Sequence, residues 1–247
     1  MPKRLLIPVF LCAAALHAQT QAAGENAAVK APSFWKRFSL GFRVRGIPLP
    51  LFRDRTVESS TTKPAATYKY TTTSTSAHVG LGASLEFRLR SNLLVTADAL
   101  HHGIGYTQTT TITDTSASTT KTTTITETTR ATYWDFPVRV QVLGLVPHTP
   151  RRMFVSGGAT LRYVRNVRTG NEYQYPDSTT AYNERATTPS KRMLPGAVVG
   201  VGFRFLDDFG FKVVPEVRYT RWFGSTFNTL STHSEIGQVE VLIGITH

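Results

Sequence analysis

Apolar and polar positions alternate along most of this chain. Between residues 77 and 90, Val79, Leu81, Ala83, Leu85, Phe87 and Leu89 share one face. His78, Gly80, Gly82, Ser84, Glu86, Arg88 and Arg90 share the other. A period of two belongs to a strand and not to a helix. Ser91-Asn92 then forms a two-residue turn and the alternation resumes at Leu93, so this stretch predicts a long hairpin with one apolar and one charged face. The same pattern predicts eight strands, over about residues 37–48, 77–90, 93–107, 131–144, 152–166, 191–206, 210–223 and 235–247. In the third, Val95, Ala97 and Ala99 oppose Thr96, Asp98 and His102, and Gly103 and Gly105 are candidate bulge positions.

The connections alternate too. Short turns follow the second, fourth and sixth strands: Ser91-Asn92, a segment bracketed by Pro147 and Pro150, and Asp207-Asp208. Long connections follow the others: residues 49–76 with a turn at Lys63-Pro64, the polar stretch 167–190, and residues 224–234. Residues 108–129 are dominated by threonine and hold a short direct repeat, Thr109 to Thr115 and Thr122 to Thr128. Threonine is β-branched and favours strands. The third and fourth strands are therefore expected to run outward as an extended hairpin, folded about residues 118 and 119 with Ile112 opposite Ile125; the alternative is a threonine-rich loop.

Alternation alone does not say which face is inside. The polar faces carry many ions and the glycines at 80, 82, 158, 200, 202 and 244. Aromatic residues gather at both ends of the apolar faces. Trp35, Phe38, Phe87, Phe203, Phe205 and Phe211 lie near the short-turn end. Trp134, Tyr163 and Tyr219 lie near the long-loop end, with Tyr133, Trp222 and Phe223 close by in sequence. Two aromatic girdles around an aliphatic band suit a bilayer. The expectation is an all-β fold, an eight-stranded antiparallel up-and-down transmembrane β-barrel with short periplasmic turns and long extracellular loops.

Export fits that expectation. Residues 1–23 read as a signal peptide: Lys3 and Arg4 precede the apolar run 5–16, with cleavage after Ala18 or Ala22. Residues 24–36 read as a periplasmic leader and 37–247 as the barrel. The single cysteine, Cys12, falls within the apolar run of the signal peptide, so the mature chain would carry no disulfide. The formal charge is +12, of which Lys3 and Arg4 contribute two. For an exported chain, anionic lipid or lipopolysaccharide is the expected partner of this basic balance, not nucleic acid. After residue 24 no apolar run approaches the length of a membrane-spanning helix, which leaves a closed barrel as the way to cross.

Parity selects the side chains expected in the bore: Arg43, Arg45, Glu86, Arg88, Arg90, Asp98, Asp135, Arg139, Arg162, Arg204, Lys212, Glu216, Arg218 and Glu240. An eight-stranded bore has room only for side chains, so these are expected to pair into a plug; a narrow anion-leaning pore is the alternative. Asp98, His101 and His102 invite a hydrolase reading, but no serine lies on their strand and parity sends the two histidines to opposite faces. Neither a catalytic site, nor a cofactor, nor a metal site is assigned. Arg53, Arg130, Arg165, Arg168, Arg192 and Arg221 are candidates at the outer rim for contact with lipopolysaccharide phosphates.

Several short motifs then resemble one family. The run Gly82-Ala-Ser-Leu-Glu-Phe-Arg-Leu followed by 94–106, the segment Tyr133-Trp-Asp-Phe-Pro-Val, Phe154-Val-Ser-Gly-Gly, and Gly200-Val-Gly-Phe with Val214-Pro-Glu-Val-Arg-Tyr219 appear in order. Together they resemble the eight-stranded, PorT-like outer-membrane β-barrel family of bacteria. The chain departs from the usual aromatic C-terminus by ending Ile245-Thr246-His247. The resemblance implies a location in the outer membrane and a fold, and no activity. The expected role is that of a monomeric, non-enzymatic barrel with structural or surface-display and adhesion functions through its threonine-rich loops, open to an extracellular surface partner. A small-solute pore is the alternative, and a lipid-modifying enzyme the third reading.

Overall fold

The computed structural model describes residues 37–62, 65–74, 78–116, 119–144, 153–206, 211–229 and 231–247. The segments expected to be a signal peptide and a leader, with Trp35, and the turns expected at Lys63-Pro64, Pro147 to Pro150 and Asp207-Asp208 lie outside the described residues. Among the described residues, twelve strands form one antiparallel sheet. They are β1 (Phe38–Ile47), β2 (Arg55–Thr62), β3 (Ala65–Ser74), β4 (His78–Arg90), β5 (Leu93–Asp114), β6 (Lys121–Leu143), β7 (Met153–Gln174), β8 (Thr180–Ala186), β9 (Met193–Phe203), β10 (Phe205–Leu206), β11 (Lys212–Trp222) and β12 (Gly237–Thr246).

Eight of these close on themselves in the order β1, β4, β5, β6, β7, β9, β11, β12, with β12 returning to β1. Each ring strand pairs with its predecessor and successor in the ring, so no ring strand leaves an edge open along its paired length. The short strand β10 continues β9 along β11.

Three ring strands are far longer than the rest. β5, β6 and β7 have 22, 23 and 22 residues, whereas β1 and β12 have 10. Their outer halves leave the ring and continue pairing with each other, with Thr109 opposite Thr126 and Glu127 opposite Asn171. β3 pairs with the outer half of β5, β2 with β3, and β8 with the outer half of β7. The result is a six-stranded extension, β2-β3-β5-β6-β7-β8.

This corrects the long connections expected at 49–76 and 167–190, which hold β2, β3, the end of β7 and β8. Their threonines and tyrosines favour strands, and the overhanging edges of β5 and β7 supply partners. The extended hairpin of β5 and β6 is present, but its register differs from expectation. Ile112 faces Thr123 and Ile125 faces Thr110. The turn is tighter because Asp114 closes it: its Oδ1 accepts hydrogen bonds from the Ser116 hydroxyl at 2.6 Å and the Ser116 N–H at 2.8 Å. Those bonds hold the Asp114 carboxyl below the usual range. Asp177 closes the turn before β8 in the same way through the Thr179 hydroxyl and N–H, and its carboxyl is lowered likewise.

No register shift occurs at Gly103 or Gly105. One irregularity falls instead in β7, between the pairs Arg130 with Arg168 and Thr132 with Arg165. Asn166 sits there at φ 53°, a left-handed conformation that asparagine tolerates. The extra residue switches parity, so Val164 and Val167 both face inward.

The ring's outer face is apolar and exposed. Leu40 and Val79 are each 72% exposed, and Leu81, Val138, Val199, Val217, Val241 and Ile243 are also exposed. Inside, the outer end of the ring is filled by an apolar cluster that includes Ile47, Phe52, Ile104, Tyr106, Val164 and Phe227. Phe52 and Phe227 come from the connections after β1 and β11 and pack on Tyr106 at centroid distances of 4.7 and 5.6 Å. Those connections are tied together: the Glu235 N–H donates to the Leu51 carbonyl and the Arg53 N–H to the His233 carbonyl.

Inward glycines set how closely strands approach. A Cβ at Gly82 would lie 2.8 Å from Leu100 Cα and overlap the Ala99 carbonyl, whereas one at Gly103 would meet nothing within 4 Å. Gly82→Val is therefore expected to cost about 3 kcal/mol, and Gly103→Ala less than about 0.5 kcal/mol. Urea unfolding midpoints of the two variants check this.

Candidate functional site: the ion-filled interior of the ring

The inward positions of β1, β4, β5, β6, β7, β11 and β12, with Arg204 between β9 and β10, bring charged side chains from distant parts of the chain into one narrow space. Arg43, Arg45, Arg139 and Arg218 are among the largest fully buried side chains. Each stands beside a glycine on a neighbouring strand. Arg43 is flanked by Gly82 and Gly244, Arg45 by Gly80, Arg139 by Gly158, and Arg218 by Gly200. A Cβ at Gly244 would press on Arg43 Cγ and one at Gly80 on Arg45 Nε, each at 3.4 Å, whereas at Gly82 and Gly158 it would meet the backbone of the adjoining strand.

The middle layer holds two carboxylates among three arginines. Asp98 receives Arg218 at 2.8 Å, Arg139 at 3.1 Å and Arg43 at 3.1 Å, and accepts the Ser84 hydroxyl at 2.6 Å. Glu216 receives Arg43 at 2.8 Å and Arg218 at 2.9 Å, is paired with Arg139, and accepts the Ser156 hydroxyl at 3.1 Å. Toward the short turns, Glu86 joins Arg204 at 2.6 Å and Arg43 at 3.8 Å.

The layer nearer the extension is centred on Asp135. Arg162 grips it through Nε at 2.8 Å and Nη2 at 3.0 Å, and Arg45 reaches it at 2.7 Å. Arg45 also reaches Glu240 at 3.2 Å and contacts the His102 ring. Arg162 donates to Gln238 Oε1 at 2.7 Å, which also accepts the Trp222 indole N–H at 3.3 Å. The Arg162 guanidinium lies between two rings, 3.9 Å from the Trp222 centroid and 4.3 Å from that of Tyr133.

Of the residues expected in the bore, Arg43, Arg45, Glu86, Asp98, Asp135, Arg139, Arg162, Arg204, Glu216, Arg218 and Glu240 are buried there. Arg88 and Arg90 are not; both are exposed. The register shifts between them, and from there β4 runs past the interior, whose end is filled by Leu94. Lys212 is half-buried at the same mouth, where its Nζ meets Ser39 Oγ at 3.0 Å. Tyr133 and Trp222, grouped by sequence with the outer aromatics, face inward instead. Their parity, shared with Asp135 and Arg218, carried that information. His102 faces the bore, and His101 lies outside against Trp134 with ring centroids 4.9 Å apart.

The rim arginines divide. Arg130 and Arg168 stand opposite each other, and Arg165 is opposite Thr132 on the same two strands. The Arg192 carbonyl accepts the Val164 N–H, which places its backbone beside them. Arg53 pairs with Glu235 at 2.9 Å, and Arg221 lies opposite Gly237, on another part of the rim. Arg168 already pairs with Glu184 at 3.4 Å. All six are exposed.

No protein-family model and no curated protein matches this chain.

The paired layers generate a prediction. Asp98→Asn would remove the charge shared by three buried arginines, a loss that typically costs about 3–5 kcal/mol. Arg88→Ala and Arg90→Ala should each stay within about 0.5 kcal/mol of the parent. Denaturant midpoints of the three variants give the comparison, and equal losses would show that position in the layer does not matter.

Proposed function

We propose that this protein is a bacterial outer-membrane β-barrel, sealed by its ion-paired interior, that displays a threonine-rich sheet on the cell surface. The observation that carries the reading is the exposed apolar band on the ring. Soluble monomers rarely expose contiguous apolar patches beyond about 300–600 Å², and here exposed Leu, Val, Ile and Phe side chains run around the ring. On β6 the outward residues from Trp134 to Val142 contain no charge. That span is about 30 Å along the strand and about 20–25 Å across a bilayer once tilted by 35–45°. Arg130, Arg165 and Arg221 lie just past one limit, beyond Trp134, Tyr163 and Tyr219, while Phe203, Phe205 and Phe211 mark the other.

The inward charges support the same reading from the other side. A soluble ring would bury its apolar face and solvate its ions; this one does the reverse. The filled bore favours an insulating barrel over a pore. On this reading the 1–23 segment directs export, the short turns face the periplasm, and the extension projects outside. The resemblance to the PorT-like family belongs to this reading. Lipid and lipopolysaccharide are its surroundings, and the protein acts as a monomer.

The central row of the band joins Leu81, Val44 and Ile243. Leu81→Arg or Ile243→Arg should cost about 2–4 kcal/mol in lipid, as charges do near a bilayer midplane. Folding yields into phosphatidylcholine vesicles should fall, while Thr111→Arg in the extension leaves them unchanged. Equal yields for all three would overturn the reading. In planar bilayers the parent should add no steady conductance.

A further inference from the structure

One face of the extension and the connection after β11 line a cup that the ion-filled interior does not explain. It encloses about 380 Å³, within the range of small-molecule sites. Tyr70 on β3 and Tyr106 on β5 supply two rings, and Gln108, Glu127 and Arg185 supply planar hydrogen-bonding groups. The wall between them is hydroxyl: Thr129 and Thr169 bond at 3.0 Å, and the Thr187 hydroxyl donates to Thr169 at 2.8 Å.

The lining selects a ligand class. Glu127 and Arg185 pair at 3.4 Å, so the cup has no net charge with which to hold a simple anion or cation. β3, β5, β6 and β7 are each paired on both sides here, so their backbones cannot accept an added peptide strand. An acyl chain would leave Gln108, Glu127 and the threonine hydroxyls without water. A sugar ring matches what remains. Its C–H face packs on tyrosine, and its hydroxyls both donate and accept, as paired Glu and Arg, an amide and a hydroxyl wall require. The cup is also held in shape. Tyr106 rests on Phe52 and Phe227, the Thr72 hydroxyl donates to the Ser231 carbonyl at 3.0 Å, and the Thr232 hydroxyl donates to Gln108 Oε1 at 3.2 Å.

We propose that this cup is a saccharide-binding site, with Tyr70 as its stacking platform and Glu127, Arg185 and Gln108 as its hydrogen-bonding groups. The proposal rests on the extension facing outward, and it gives the displayed sheet a ligand class, cell-surface glycan.

The test uses the full-length protein refolded in detergent, applied to an array of neutral and acidic oligosaccharides and to a random-peptide array. Tyr70→Ala and Glu127→Gln alter half-exposed positions outside the ring, and Thr111→Ala alters the opposite face. The expected result is retention on a subset of glycans, reduced at least tenfold by Tyr70→Ala and by Glu127→Gln and unchanged by Thr111→Ala. Glycan binding no greater for the parent than for Tyr70→Ala, or retention on peptides alone, would overturn the site. The same samples run unboiled and boiled on a gel report the ring. A mobility shift without glycan binding removes only the site, whereas absence of any shift removes the barrel reading.

Discussion

The structure depends on one constraint: a ring of eight strands has an interior just wide enough for side chains, and this interior is lined with charges. Arg43, Arg45, Arg139, Arg162, Arg204 and Arg218 are buried there with Glu86, Asp98, Asp135, Glu216 and Glu240. An unpaired charge in such a place is costly, and these ions meet one another in successive layers. The partners come from β1, β4, β5, β6, β7, β11 and β12, with Arg204 from between β9 and β10, so the pairing is satisfied only when the ring is closed in this register. Slipping one strand by a residue would exchange its ions for its apolar side chains. The network therefore stabilises closure and specifies register together.

The same constraint orders the remaining features. Glycines stand beside the longest inward side chains: at Gly80 and Gly244 they leave room for the arginine, and at Gly82 and Gly158 they let neighbouring backbone come close. The aromatic pair around Arg162 gives its guanidinium apolar faces where carboxylates cannot reach. At the outer end, where ions stop, Phe52 and Phe227 fold in from two connections and close the interior with an apolar lid. With the ions inside, the apolar residues have only the outer face left to occupy, and there they are exposed.

Much of this was legible in the sequence, because alternation is a local property. The eight ring strands, the inward ions and the inward glycines all follow from parity on single strands. What parity cannot supply is partnership between strands, and the misjudgements fall there. Residues 55–62, 65–74 and 180–186 alternate weakly and carry no strong apolar face, yet they become strands because β5 and β7 overhang the ring and offer edges. Ile112 and Ile125 miss each other because the Asp114 turn closes two residues tighter than their pairing needs. Arg88 and Arg90 continue the parity of Glu86 but lie past the point where the bore ends. Tyr133 and Trp222 were readable from parity; their aromatic character drew them to the girdle instead.

The central claim is that the ring's outer face meets lipid while the extension meets water. It is tested most directly by spin labels at Leu81, Val199, Ile243 and Thr111, each introduced as a single cysteine in a Cys12→Ser background and reconstituted in phospholipid vesicles. Collisional broadening by oxygen, which concentrates in lipid, should dominate at the first three positions. Broadening by a water-soluble nickel chelate should dominate at Thr111. Comparable access of the nickel chelate to all four positions would contradict the account.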